Sequence, residues 1–247
     1  MRRIIITIGL LSMIFICSCG RQEKKDTING NTKENSVISG TDKTVATINE
    51  TKMENAEILD DVVYSECDYA QVGTIVNESK YATDIISGSI QKVTYDAIDG
   101  LAWTKADVLV DEVCKGDLVS GDTISVYIQG GYISLTEMLK FSQDSFRYTD
   151  EQLANSDNIC IKQVFDGEDF AVKGDRNVFY LCRTNSEKFP SGSYERVLGK
   201  YGEMEIDTEK KIIHYDPINV DEEDTENFTM KEIRKYAEKY GDYEVEE

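Results

Sequence analysis

Between residues 104 and 111 the chain alternates. Thr104, Ala106, Val108 and Val110 fall on one side, and Lys105, Asp107, Leu109 and Asp111 on the other, which is mostly charged. A period of two is the pattern of a half-buried strand. Upstream, Asp84–Tyr95 reads as a long strand, and Asp99-Gly100 between the two is a hairpin turn signal. Downstream, Lys115-Gly116-Asp117 ends the second strand. Gly121-Asp122 opens a third, Thr123–Ile128, which stops at Gly130-Gly131. Further strands are expected at Asn177–Arg183, Tyr194–Gly199 and Lys211–Tyr215.

Helical patterns sit at the margins. Asp68–Ala82 has the composition of a helix, weakened by Gly73. Ser134-Leu135-Thr136-Glu137 forms a capping box with Ile133 and Met138 as its staple, predicting a short helix that ends near Phe141. Thr149-Asp150-Glu151-Gln152 is a second box. The clearest helix is the last: Thr229 caps it, Glu232 completes the box, Phe228 staples to Ile233 and Gly241 stops it. Met230, Ile233, Tyr236, Ala237 and Tyr240 make one apolar stripe. The expected fold class is mainly β: a small OB-like β-barrel with peripheral helices and a C-terminal amphipathic helix.

The N-terminus adds an address. Arg2 and Arg3 precede a mostly apolar run, Ile4 to Ile16, of signal-peptide length and too short to span a bilayer comfortably. The run ends Ile16-Cys17-Ser18-Cys19-Gly20, which resembles a bacterial lipobox. That resemblance implies a lipoprotein signal peptide over residues 1–18 and lipid on Cys19. Cys17 is the poorer acceptor, because bulky Ile16 would occupy its −1 position. Residues 19–57 read as the lipidated cysteine and a disordered linker, polar and free of aromatics. As a flexible coil, about 38 residues would reach roughly 30–37 Å. A β-barrel domain with its C-terminal helix is then expected over residues 58–247. The expected location is the extracellular face of the cell membrane, with the lipid on Cys19 as the membrane attachment.

Charge narrows the partners. The formal net charge is −20, and loss of Arg2 and Arg3 makes the mature chain more acidic still. This argues against nucleic acid, which needs a basic footprint. It also argues for a domain that stands off from an anionic bilayer.

Candidate chemistry is sparse. Beyond the leader, Cys67, Cys114, Cys160 and Cys182 remain. They are too few for a disulfide framework, so buried unpaired thiols are expected, with one or two disulfides as the alternative. Zinc would have to draw on these cysteines and His214, and none has the short Cys-x₂₋₄-Cys spacing of structural sites. His214, the single histidine, sits inside a strand pattern without a Gly-x-Ser-x-Gly elbow. Gly130-Gly131 before a capped helix reads as a turn rather than an anion site. Asp166-Gly167-Glu168-Asp169 and Asp221-Glu222-Glu223-Asp224 read as solvated acidic faces, with weak Ca²⁺ binding as the alternative. Tyr127, Tyr132, Tyr180, Tyr194 and Tyr201 are expected mainly in the core.

The punctuation from Asp84 to Thr184 includes Lys115-Gly116-Asp117, Gly121–Val126, Gly130-Gly131, Gly174-Asp175 and Val178–Leu181. It resembles the OB-type barrel of netrin-like domains, the module shared with tissue inhibitors of metalloproteinases. It also resembles lipoproteins of Gram-positive anaerobes. In that family an N-terminal cysteine chelates the target's zinc. Here the corresponding cysteine is the lipidated one, set off by the linker, so the resemblance implies a fold and not inhibition. The expected function is a membrane-anchored binding module for an extracellular protein or wall polymer, with no catalytic residues, no metal and no cofactor. The alternatives are an extracellular hydrolase using His214 and a low-affinity cation-binding surface protein.

Overall fold

The computed structural model describes residues 46–65, 73–165, 171–184, 186–207, 209–215 and 225–241. In chain order the elements are β1 (Ala46–Ile48), α1 (Glu50–Asn55), β2 (Glu57–Ser65), α2 (Ile75–Tyr81), β3 (Asp84–Ile98), β4 (Leu101–Lys115), β5 (Thr123–Gln129) and β6 (Gly131–Ser134). There follow α3 (Leu135–Leu139), α4 (Asp150–Ala154), β7 (Ile159–Phe165), β8 (Arg176–Arg183), β9 (Tyr194–Arg196), β10 (Glu203–Ile206), β11 (Ile212–Tyr215), β12 (Thr225–Phe228) and α5 (Met230–Tyr240). The chain is mainly β, as the alternation predicts.

The hairpin signal works as a local instruction. Asp99 and Gly100 both take positive φ, 51° and 78°, and Ile98 pairs with Leu101 across the turn. Two left-handed residues match the twist of the strands they join. β3 pairs with β4 along its length and, through Asp84–Ser89, with β8. β5 lies antiparallel to β4 and parallel to β9, and β9 runs antiparallel to β8. The pairings therefore close a ring in the order β3-β4-β5-β9-β8. β1 extends this sheet from β3, and β10, β11 and β12 extend it from β8.

Closure requires close approach at Gly88, which faces both Val110 and Asn177. A Cβ there would lie 2.6 Å from Val108 Cγ1 and 2.7 Å from the Leu109 carbonyl. Glycine lets one strand serve two neighbours at this bend. The predicted apolar face of β4 points into the ring, where Ala106, Val108 and Val110 pack with Val126, Phe179 and Leu181. Large aliphatic side chains buried this way each contribute about 1.5–3 kcal/mol against the entropy of ordering them.

The other face of β8 is buried too. Val178, Tyr180 and Cys182 lie under α2 and α5, with Ile75, Ile233 and Ala237 supplied by the helices. Burial on both faces explains why Val178–Cys182 reads as an unbroken apolar run. The α5 capping box forms in both directions between Thr229 and Glu232. Its stripe is buried at Ile233 and Ala237 and partly so at Met230 and Tyr236. Gly241 ends the helix with φ −71°, so the stop does not use glycine's left-handed freedom.

A second sheet places β7 between parallel β2 and antiparallel β6. Ile133, Leu135, Met138, Ile159 and Ile161 fill its core, and Ala102 of β4 joins them.

Three expectations change. Order begins before residue 58: β1 pairs with β3 from Ala46↔Ala97 to Ile48↔Tyr95, Ile48 is buried, and Asn49 caps α1. A three-residue strand with one inward side chain is hidden in a polar stretch. The helix expected over Asp68–Ala82 starts at Ile75 on a Thr74 cap, and residues 66–72 lie outside the described ones. The strand expected to reach Gly199 ends at Arg196, because Leu198 and Gly199 turn left-handed, with φ of 54° and 58°. The leader, Cys19 and the linker as far as residue 45 lie outside the described residues.

A candidate binding groove on the outer face of β4 and β5

Facing away from the ring interior, Lys105 stands opposite Tyr127, Asp107 opposite Ser125, and Leu109 opposite Thr123. β5 meets β9 only where Val126 and Tyr127 pair with Tyr194 and Glu195. Before that point the two strands part. The loop of residues 186–193 returns across the gap and leaves a groove of about 410 Å³. Lys105, Thr123 and Ser125 line one side, and Pro190–Tyr194 line the other.

The loop is held by a wedge and a rim contact. Phe189, only 8% exposed, sits between Trp103 and Tyr127, with both ring-centroid distances 4.9 Å. Offset and edge-on aromatic pairs of this kind add about 0.5–1.5 kcal/mol beyond area burial. Lys188 Nζ lies 2.5 Å from Asp99 Oδ2, tying the loop to the β3–β4 turn. Beneath the wedge, the Tyr127 hydroxyl donates to Asp96 Oδ2 at 2.9 Å, and Thr47 Oγ1 donates to Asp96 Oδ1 at 2.6 Å. Burial, then the Asp96 carboxylate, pushes the Tyr127 phenol well above its ordinary range, so it remains a donor at neutral pH. The loop turns at Gly192, with φ 82° and nothing within 4 Å of where a Cβ would sit. Backbone conformation rather than space calls for glycine there. Ser193 closes the turn by donating from Oγ to the Pro190 carbonyl at 2.7 Å.

Strand geometry also gives the groove a main-chain edge. The Val110 N–H donates to the Asp122 carbonyl at 2.9 Å, which fixes the phase of the β4–β5 ladder. Alternation then points the N–H and C=O of Thr123, and the N–H of Ser125, away from β4 and toward the gap. The charges beside them are mixed. Lys105 Nζ is 3.6 Å from Asp107 Oδ1, which also accepts from Ser125 Oγ at 3.0 Å. Asp122 Oδ2 accepts from the Val119 N–H at 2.9 Å. Tyr194 is 5% exposed, and its ring is an apolar back wall with Arg183 5.9 Å from the centroid. This arrangement offers hydrogen bonds and contact surface.

The sequence-predicted candidates are scattered. Cys114, Cys160 and Cys182 carry free thiols, and Cys67 lies outside the described residues. Burial, then Glu112, pushes the Cys114 thiol up to about 11, and burial raises Cys160 as well. Such thiols are poor nucleophiles at neutral pH. Among the described residues no three His, Cys, Asp or Glu side chains gather as a metal site would need. His214 lies in β11 opposite Glu226, and its side chain is outside what is described. Gly130 and Gly131 have φ of 101° and 130°, but Gly130 bridges to Trp103 and Gly131 opens β6, so the expected turn is a direct passage from β5 into β6, and β6 separates it from the N-terminus of α3. Asp166–Asp169 and Asp221–Asp224 lie outside the described residues. Tyr127, Tyr180 and Tyr194 are buried, while Tyr132 packs edge-on against Tyr95 and Tyr201 lies near Lys200. No described helix is long and apolar enough to cross a membrane.

The groove itself escaped the sequence reading. Pro190-Ser191-Gly192-Ser193 between two apolar runs marks a turn, and that was the available signal. The chain matches no protein-family model, and no curated protein matches its sequence.

Proposed function

We propose that this is a lipid-anchored extracellular binding module on an OB-like barrel, and that it takes a wall polymer in the groove beside β5. The ring order supports the OB reading: a three-strand meander, a parallel pairing of the third and fifth strands, and closure of the fourth onto the first. In such barrels the second and third strands, with the first and fourth loops, form the ligand face. Those elements here are β4, β5, the Asp99-Gly100 turn and loop 186–193. The single observation that carries the reading is that the groove opens at that place. Fold alone would not carry it, since unrelated functions share folds. The lipobox at Ile16–Gly20 supports the anchor on Cys19. The acidity opposes nucleic acid as the occupant, and the polar lining favours a hydroxylated polymer over an apolar protein surface.

The test is co-sedimentation of the mature protein with purified cell wall, beside a Ser191→Trp variant that fills the groove from an exposed position. Wild type should pellet with the wall and the variant should stay in solution at an unchanged melting temperature. Equal pelleting of both would place binding elsewhere. Failure of both to pellet, while a protein partner is retained through the groove, would replace the polymer with that protein.

A further inference from the structure

We infer that the part of the wall polymer held in the groove is a short peptide, about three residues long, laid along the free edge of β5. This rests on the binding reading above and names what the site holds.

Among the described residues no strand pairs with the outward edge of β5 before Val126. Thr123 offers an N–H and a C=O there, and Ser125 an N–H, by the phase of the β4–β5 ladder. The parallel pairing of Val126 with Tyr194 takes up the Ser125 carbonyl, so the free run stops at that point. The loop does not fill these places. The Ser193 N–H donates to the Pro190 carbonyl at 3.2 Å, and the Ser193 carbonyl accepts from the Thr184 N–H at 3.0 Å. Both main-chain groups of the residue ahead of β9 are turned into the loop and away from β5.

The order of the free groups sets what can meet them. One trans amide points its N–H and C=O in opposite directions, so it cannot serve both groups of Thr123. An extended peptide can, because its groups face the same side at every second residue. Laid antiparallel, the third peptide residue exchanges both bonds with Thr123, and the first accepts from Ser125. Laid parallel, the first accepts from Thr123, and the third donates to the Thr123 carbonyl and accepts from Ser125. In either direction the third N–H donates to β5 and the second points away from it. Sugar hydroxyls meet such groups one at a time, whereas a peptide repeats them at the strand's own spacing.

The walls limit the side chains. One face of an added strand would meet Leu118, Ile124 and the Tyr194 ring, and the other would stand beside Lys105. Small, uncharged side chains suit both, since Lys105 and Asp122 already hold contacts with Asp107 and the Val119 N–H. A volume of about 410 Å³ lies at the small end of ligand pockets, which span roughly 300–1,000 Å³. So short an edge gives weak affinity. That suffices for a protein tethered beside a wall cross-linked through short peptides, where each contact forms at high effective concentration.

The test removes the peptide's donors one at a time. The full mature protein in detergent would be titrated with tri-alanine amide, two ester analogues of it and glucose trimer. Heat and the fluorescence of Trp103 would be followed; this single tryptophan lies against Phe189 on the loop that walls the groove. With no carbonyl ahead of its first residue, tri-alanine amide meets all the free groups in one register. An ester in place of the third N–H should cost about tenfold, because it strips the donor to the Thr123 carbonyl. An ester in place of the second should cost about threefold or less. Glucose trimer should bind at least about tenfold more weakly than the peptide. Thr123→Pro removes the edge N–H at the first residue of β5, where proline spares the ladder to β4. It should cost the peptide about tenfold and the glucose trimer little. Ser191→Trp, which fills the groove, should abolish peptide binding whether or not the proline variant folds. Tri-alanine amide should also release the protein from purified cell wall, and the third-position ester should release less. Equal losses for the two esters, glucose trimer binding as tightly as the peptide, or a peptide that binds without releasing the wall overturns the inference. If Ser191→Trp still blocks wall binding in that case, the binding-module reading stands without it. If the wall does not bind, or binds the variant equally, both fall.

Discussion

Two outer faces of the same ring are covered in different ways. Over β8, helices α2 and α5 lay down a continuous apolar surface, and Tyr180, Val178 and Met204 have no exposure at all. Over β4 and β5 the cover is a loop that inserts one side chain, Phe189, and leaves polar space beside it. The first face is made from helical periodicity and packs like an interior. The second is made from a turn and a wedge, and it keeps main-chain groups and hydroxyls in reach of solvent. A protein with one closed and one open face has put its stability on the former and its adaptable contacts on the latter.

The largest break in this contrast comes from the closed face. Ile233 is fully buried at the centre of the α5 stripe. Ile233→Asp places a charge among aliphatic side chains without a cationic partner built for it. The variant should lose about 4 kcal/mol of stability in denaturant unfolding. Groove binding by the fraction that stays folded should be intact. A melt indistinguishable from wild type would mean that α5 does not seal the ring.

Phe189→Ala should act differently. It removes a ring with two aromatic neighbours, but from a surface loop that can resettle. The expected loss is about 2 kcal/mol, below the roughly 3–5 kcal/mol of an aromatic deletion in a core. Ligand binding through the groove should fall with it, since the wall of the opening loses its fixed position. A variant that lost stability yet bound as wild type would separate the wedge from the site and undo the contrast.

The two faces were also unequally legible in the sequence. α5 could be read almost residue by residue, because capping and an i, i+3, i+4 stripe are local signals. The β3–β4 hairpin was legible for the same reason: two turn residues and a period of two specify it. β2 and β7 escaped notice, since a parallel pair joined through distant chain leaves no turn signature between its strands. The open face was legible only in part. Alternation set Thr123 and Ser125 apart from Ile124 and Val126, but no local pattern says that Phe189 returns to cover Tyr127. Tyr127 was expected in the core, and it is buried, yet on the outer face and under a loop. Burial by a distant segment is decided by tertiary packing, which periodicity does not encode. β1, whose Thr47 meets Asp96 beneath that loop, was hidden as well, because three residues are too few to show a period.

The smallest expected effect is the most discriminating. Each face carries an exposed ion pair at its rim. On the closed face Arg234 of α5 contacts Glu112 of β4. On the open face Lys188 contacts Asp99 at 2.5 Å, with side chains 41% and 48% exposed. Exposed pairs contribute between nothing and about 1 kcal/mol, and salt screens them. Arg234→Ala and Lys188→Ala should therefore each cost about 0.5 kcal/mol or less in a melt. Their consequences for binding should diverge. α5 keeps Ile233 and Ala237 in the core without Arg234, so its position does not change. Loop 186–193 keeps Phe189 as its main tether once Lys188 is gone, and the rim nearest the β3–β4 turn is free to move. Lys188→Ala should weaken ligand binding severalfold, and raising the salt concentration on wild type should reproduce part of that loss. Arg234→Ala should leave affinity and its salt dependence alone. Matching binding losses in the two variants would mean that both faces are equally coupled to the groove, and the division between a sealing face and a binding face would have to be given up.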